Sequence, residues 1–232
     1  LLTLMNLLCG SFAVVVALMY NDLTLAFWLI VAGIVFDFFD GFVARLLHSS
    51  SAIGVQLDSL ADVITSGLAP AAVLWQVCLQ TEPCWLPETW KLGYGVFVLA
   101  AFSALRLAKF NIDETQTVEF CGLPTPAGSL LCASLGMLWQ QGAVALSSDG
   151  VLLIAVLTSL LLVSPIRMFA LKFHGFGWRG NEVRYLFLLA SIVLIIILRT
   201  YAIPVIIVLY IVVSAVRWLC MRSGNPDKAP KA

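Results

Sequence analysis

The chain has 232 residues, of which 61% are hydrophobic and only 11% charged, with a formal net charge of zero and a mean hydropathy of +1.01. A soluble domain carries about 25% charged residues, so this composition excludes one and points to an integral membrane protein. Zero net charge singles out no partner, and no nucleic acid is expected among them.

Apolar runs of about 17 to 25 residues can cross a bilayer as helices. Eight are found, at about 4–20, 23–47, 53–79, 92–110, 126–146, 151–171, 184–199 and 202–220. The expected fold is therefore all-α, a bundle of eight transmembrane helices, with residues 1–222 as one membrane domain and 223–232 as a polar tail. The first run has no basic n-region and no A-x-A-like cleavage site, so it reads as a helix of the bundle and not as a signal peptide.

The second and third runs carry the chemistry. Asp37, Asp40, Asp58 and Asp62 sit in stretches otherwise apolar enough to span, where each charge costs about 3 kcal/mol on insertion scales. On helices, residues three or four apart share a face, so each pair presents two carboxylates together. Two facing pairs would form a box of hard oxygen ligands suited to Mg²⁺ or Mn²⁺, whose open positions substrate phosphates can fill. Gly41 lets a ligand approach the backbone, and Arg45 lies one turn further on, suited to pairing with a phosphate. Arg45 is also the only cation in the segment, too little to explain four acids as ion pairs.

Further along, Thr81 to Lys91 holds Pro83, Pro87, Trp85 and Trp90 and reads as an outward loop with interfacial aromatics. Cys78 and Cys84 fall near it and could pair if that side is oxidising. The six cysteines contain no C-x-x-C pair and have no His at ligand spacing, so no zinc site is expected. His48 and His174 flank helix ends as interfacial polar residues. The fourth run ends in Arg106, Lys109 and Asn111, followed by an acidic stretch to Gly122 that could be a flap or a solvated linker. Arg167 and Lys172 close the sixth run.

Alternating connections place Arg45, Arg106, Lys109, Arg167, Lys172, Arg179, Arg184, Arg217, Arg222, Lys228 and Lys231 on one side and Lys91 and Arg199 on the other. That is eleven of the thirteen basic residues on one face. The positive-inside rule then puts both termini and the aspartates on the cytoplasmic side of a cell membrane.

The pattern D-x2-D-G-x2-A-R-x8-G-x3-D-x3-D, at Asp37, Asp40, Gly41, Ala44, Arg45, Gly54, Asp58 and Asp62, resembles the signature of the CDP-alcohol phosphatidyltransferases at every fixed position. Ser66-Gly67-Leu68-Ala69-Pro70, Arg106 to Asn111, Gly122-Leu123-Pro124-Thr125-Pro126-Ala127 and Leu162-Val163-Ser164 with Lys172 are similar to segments of the serine-accepting bacterial and archaeal group of that family. The resemblance implies transfer of a phosphatidyl group from CDP-diacylglycerol to L-serine, giving phosphatidylserine and CMP. It implies that Asp37, Asp40 and Asp58 bind Mg²⁺ or Mn²⁺, with Asp62 completing a second metal site or taking the serine proton. Asn6, Asp40, Gly41, Ala44, Arg45 and Ser66 would hold CDP-diacylglycerol, and a homodimer is expected among membrane lipids. Serine needs a cation for its carboxylate, for which Arg106, Lys109, Asn111, Arg167 and Lys172 are the candidates. Glycerol 3-phosphate or inositol phosphate is the alternative acceptor, and a divalent-cation transporter the alternative of another class.

Overall fold

The computed structural model describes residues 1–46, 51–85, 93–112, 119–169 and 181–224. Helix α1, Leu2–Val15, runs on through a π-helical turn, Val16–Tyr20, and ends where Asn21 adopts a left-handed conformation. Asp22 then caps α2, Leu23–Leu46, by accepting the Leu25 N–H at 2.8 Å. Ser51 caps α3, Ala52–Asp62, in the same way through Gly54 N–H. A π-helical stretch, Val63–Leu68, joins α3 without a break to α4, Ala69–Gln80.

A 3₁₀ turn at Tyr94–Phe97 leads into α5, Val98–Ile112. Strand β1, Glu119–Cys121, precedes α6, Thr125–Gln140, and α7, Ser148–Leu162, precedes strand β2, Arg167–Phe169. Helix α8, Glu182–Leu198, turns through Arg199–Tyr201 into α9, Ala202–Gly224, and the two pack against each other.

Among the described residues, five helical runs are long and apolar enough to cross a membrane: Leu2–Tyr20, Leu23–Leu46, Ile53–Gln80, Tyr94–Ile112 and Glu182–Cys220. The last is interrupted at Arg199, whose φ of +47° breaks the helix between α8 and α9. The expected spans at 126–146 and 151–171 end early as helices, at Gln140 and Leu162. Gly142 at φ +69° terminates the first, and Pro165 follows the end of the second. At 16 and 15 residues, α6 and α7 fall short of the roughly 20 needed to cross alone.

Arg167, expected at a helix end, instead stands in β2. The strands pair antiparallel, with Cys121 opposite Arg167 and Glu119 opposite Phe169. Three-residue strands carry too little alternation to be read from sequence.

The core is formed by Phe27, Ile30, Leu74, Leu99, Leu138 and neighbours, all fully or almost fully buried. Large apolar side chains such as Phe12, Trp28, Leu189, Ile196 and Val212 face outward, as expected of a surface solvated by lipid. Small residues bring the helices carrying the aspartates into close contact with α1. A Cβ at Gly10 would stand 2.3 Å from Thr65 Oγ1, and one at Gly33 would stand 2.6 Å from Thr65 Cγ2.

Away from the aspartates, Asp149, ahead of the apolar stretch of α7, accepts the Cys84 and Trp85 N–H groups at 3.1 and 2.7 Å. Cys78 and Cys84 are both free thiols, so the bridge considered from sequence is not formed. Cys78 Sγ lies 3.6 Å from the Ser148 carbonyl instead.

Candidate active site

The four aspartates converge from two directions. Asp37 and Asp40 come from the second half of α2, and Asp58 and Asp62 from the last two turns of α3. The Asp37 and Asp58 carboxyls are within hydrogen-bonding reach of each other, and Asp62 and Asp40 both act on Asp37 electrostatically. The helical spacing read from sequence thus does produce facing pairs.

Helix α1 supplies the donors that hold two of them. Asn6 Nδ2 donates to Asp62 Oδ1 at 3.0 Å, and Thr3 Oγ1 donates to Asp40 Oδ2. Thr65, in the π-helical stretch directly after Asp62, fixes α1 in return by donating to the Asn6 carbonyl at 3.0 Å. A π-helical turn changes the register of the side chains that follow, and such turns recur at functional sites. Here it turns Thr65 towards α1. Sequence reasoning missed Thr3 and Thr65. Thr3 lies three residues before Asn6, and that shared face was the available signal.

Asn6 is fully buried, and its Oδ1 has no hydrogen-bond partner. Ser66 Oγ is likewise buried without one. Gly41 is open, with no atom within 4 Å of where a Cβ would stand, and Ala44 lies half-buried one turn beyond. Arg45 is exposed and donates from Nε to the Gly41 carbonyl at 2.9 Å.

Among the described residues no three His, Cys, Asp or Glu side chains stand close enough together to form a finished metal cage. Asp40 is turned to Thr3 and Asp62 to Asn6. The chemistry of the donor set still fits a hard divalent cation, because Asp37 and Asp58 face each other at hydrogen-bonding distance and further carboxylates bear on both.

Beside the aspartates lies a cavity of about 400 Å³ lined by Arg106, Lys109, Phe110, Cys121 and the Leu162–Pro165 segment. Arg106 joins the two regions. It is 8% exposed, lies close enough to Asp62 to interact with its charge, and donates from Nη1 to Thr125 Oγ1 at 2.8 Å. Its guanidinium stands 5.7 Å from the Phe110 ring centroid, and its Nε is buried with no partner. Lys109 lines the same cavity. Asn111 does not; it donates to Ser59 Oγ at 2.8 Å and ties α5 to α3. Arg167 is held in β2 outside the cavity lining, and Lys172 lies outside the described residues.

The family model for CDP-alcohol phosphatidyltransferases matches residues 1–164. The chain is 32% identical to a CDP-diacylglycerol–serine O-phosphatidyltransferase of Bacillus subtilis over 75% of its own length and 91% of the relative's. It is 30% identical to the protein of that name from Helicobacter pylori, over 94% and 90% of the two chains. Against that from Mycobacterium tuberculosis it is 33% identical, over 99% and 82%.

The chain belongs to the CDP-alcohol phosphatidyltransferase family.

A CDP-alcohol phosphatidyltransferase must hold a diphosphate and an acceptor alcohol side by side, and the carboxylate group and the cation-lined cavity adjoin through Arg106.

Proposed function

We propose that the chain transfers a phosphatidyl group from CDP-diacylglycerol to the hydroxyl of L-serine, releasing CMP. The observation that carries this reading is Arg106, a buried guanidinium set between Asp62 and a cavity that also holds Lys109. Relatives that resemble the chain over nearly their whole length are named for serine, and an acceptor bearing a carboxylate needs such cations.

In this reading Asp37, Asp40, Asp58 and Asp62 hold Mg²⁺ or Mn²⁺, which would neutralise charge on the diphosphate so that CMP can depart. Gly41, whose flank is open, Ala44 and Arg45 receive the cytidine and diphosphate together with Asn6 and Ser66. Arg106 and Lys109 take the serine carboxylate. Asp62 is held by Asn6, and it accepts the proton of the serine hydroxyl as that oxygen bonds to phosphorus and the bond from phosphorus to the CMP oxygen breaks. The chain's own contribution is positioning, with one proton transfer.

The same proposal places the helices as eight spans, with α6 and α7 enclosed by longer neighbours. It sets the aspartates on the cytoplasmic side, following the distribution of basic residues, and takes the working protein to be a homodimer.

The test is release of CMP from CDP-diacylglycerol by the purified protein with L-serine, glycerol 3-phosphate or inositol phosphate as acceptor. Serine alone should give CMP and an aminophospholipid. Turnover of a phosphorylated alcohol instead would move the acceptor and keep the family. Absence of CMP with all three would favour a cation-transport role for the acids.

A further inference from the structure

Thr125 opens α6 and is 1% exposed. Its hydroxyl oxygen accepts from Arg106 Nη1 at 2.8 Å, and the Nε of the same guanidinium is buried and unsatisfied. The segment that carries Thr125 is itself fixed. Gly122 N–H donates to the Ile166 carbonyl at 2.9 Å and Leu123 N–H to the Leu161 carbonyl at 2.9 Å, so residues 122 and 123 are bound on either side of the Leu162–Pro165 segment that lines the cavity. Gly122 is at φ +76°, and a Cβ there would meet the Leu162 carbonyl oxygen at 2.2 Å. Pro124 and Pro126 on either side of Thr125 limit the backbone further.

An arginine side chain has many rotamers and loses conformational freedom when it is fixed. In this site one anchor from a rigid turn holds Nη1, while Phe110 lies against the guanidinium and Asp62 attracts it. The edge bearing Nε is left over. Arg106 is nine-tenths buried yet lines the cavity, so the surface it keeps is open to an anion entering there.

We infer that Thr125 is a positioning residue for the acceptor: it clamps one edge of the Arg106 guanidinium so that the other edge is presented to the acceptor's anionic group. The inference rests on the proposed reading of Arg106 as an acceptor ligand. Thr125 itself touches no reacting atom.

Thr125→Val keeps the shape and removes the acceptor oxygen. In the purified full chain it should raise the KM for L-serine on the order of tenfold, as loss of a hydrogen bond to a charged group does. The KM for CDP-diacylglycerol and the melting temperature should move little. Thr125→Ser should return the serine KM to within about twofold of wild type, since the oxygen is restored. In an Arg106→Ala background, Thr125→Val should add almost nothing, because the group it positions is gone.

An unchanged serine KM in Thr125→Val, or a full additive effect on Arg106→Ala, overturns the positioning role. So does failure of Thr125→Ser to rescue. A wild-type protein that ignores serine overturns the proposed function instead, and this is seen before any variant is made.

Discussion

Asn6 on α1 reaches Asp62 on α3, its amide donating to the carboxylate at 3.0 Å while its own Oδ1 is buried without a partner. Held to Asp62 by one edge and packed against Gly33 of α2 by the other, Asn6 fixes the orientation of that carboxylate. Asn6→Ala should therefore lower kcat/KM for CMP release by about 10- to 100-fold, the range for losing a hydrogen bond to a charged group. Near wild-type turnover in that variant would reduce the contact to helix packing.

The facing of Asp37 and Asp58 leads to a metal requirement. CMP release should stop in EDTA and resume with Mg²⁺ or Mn²⁺, and Asp37→Asn should stay inactive at any concentration of either ion. Isothermal titration of Mn²⁺ against wild type and Asp37→Asn gives a readout independent of turnover. Equal affinity in both would remove Asp37 from the ligand set.

Gly122→Ala should destabilise the protein. The new Cβ would press on the Leu162 carbonyl, and the residue would be left at φ +76°, a combined strain of about 2 kcal/mol or more. For a chain of this size that corresponds to a melting temperature lower by roughly 4 to 8 °C. Gly142→Ala is the control, because Gly142 has a similar φ of +69° but open space around it. It should cost less.

Asp149 gives a pH-dependent signal outside the apolar spans. Burial pushes its carboxyl up, but hydrogen bonds from Ser147, from the Cys84 and Trp85 N–H groups and from its own N–H outweigh this and bring it down to about 2. A carboxyl depressed in the folded state stabilises the protein above its unfolded value near 3.9, and that contribution is lost as pH falls towards 2. The melting difference between wild type and Asp149→Asn should be constant from pH 8 to 5 and shrink between about 4 and 2. A difference that does not change with pH would mean the carboxylate charge has no part in holding the 81–85 loop.

The aspartate spacing could be read without a structure because it depends only on helix geometry: three or four residues apart is one face wherever the helix lies. The caps at Asp22, Ser51 and Ser147 are local contacts as well, but sequence reasoning missed them. What joins the site together was not local. The Thr3 to Asp40 and Arg106 to Thr125 contacts link residues 37 and 19 positions apart, and neither threonine lies in a pattern that demands a partner. The early ends of α6 and α7 were hidden for another reason. Hydropathy continues past Gln140 and Leu162, while the backbone stops at Gly142 and at Ser164-Pro165.

The pairing of β1 with β2 ties the later part of the chain to the segment beside the cavity. The family match stops at Ser164, yet the strand opposite Cys121 is 167–169, and Phe169 is in turn held by the Tyr210 hydroxyl of α9 at 2.9 Å. Phe169, Phe187 and Tyr210 form one aromatic cluster that draws on β2, α8 and α9. A protein shortened to its signature-bearing half would retain all four aspartates and lose the strand that pairs with β1, which ends at Cys121, just ahead of Thr125 and its contact with Arg106. In this chain the hallmark and its support are separate pieces of sequence, so a change in the last two helices bears on β2, and through it on β1, without touching an aspartate.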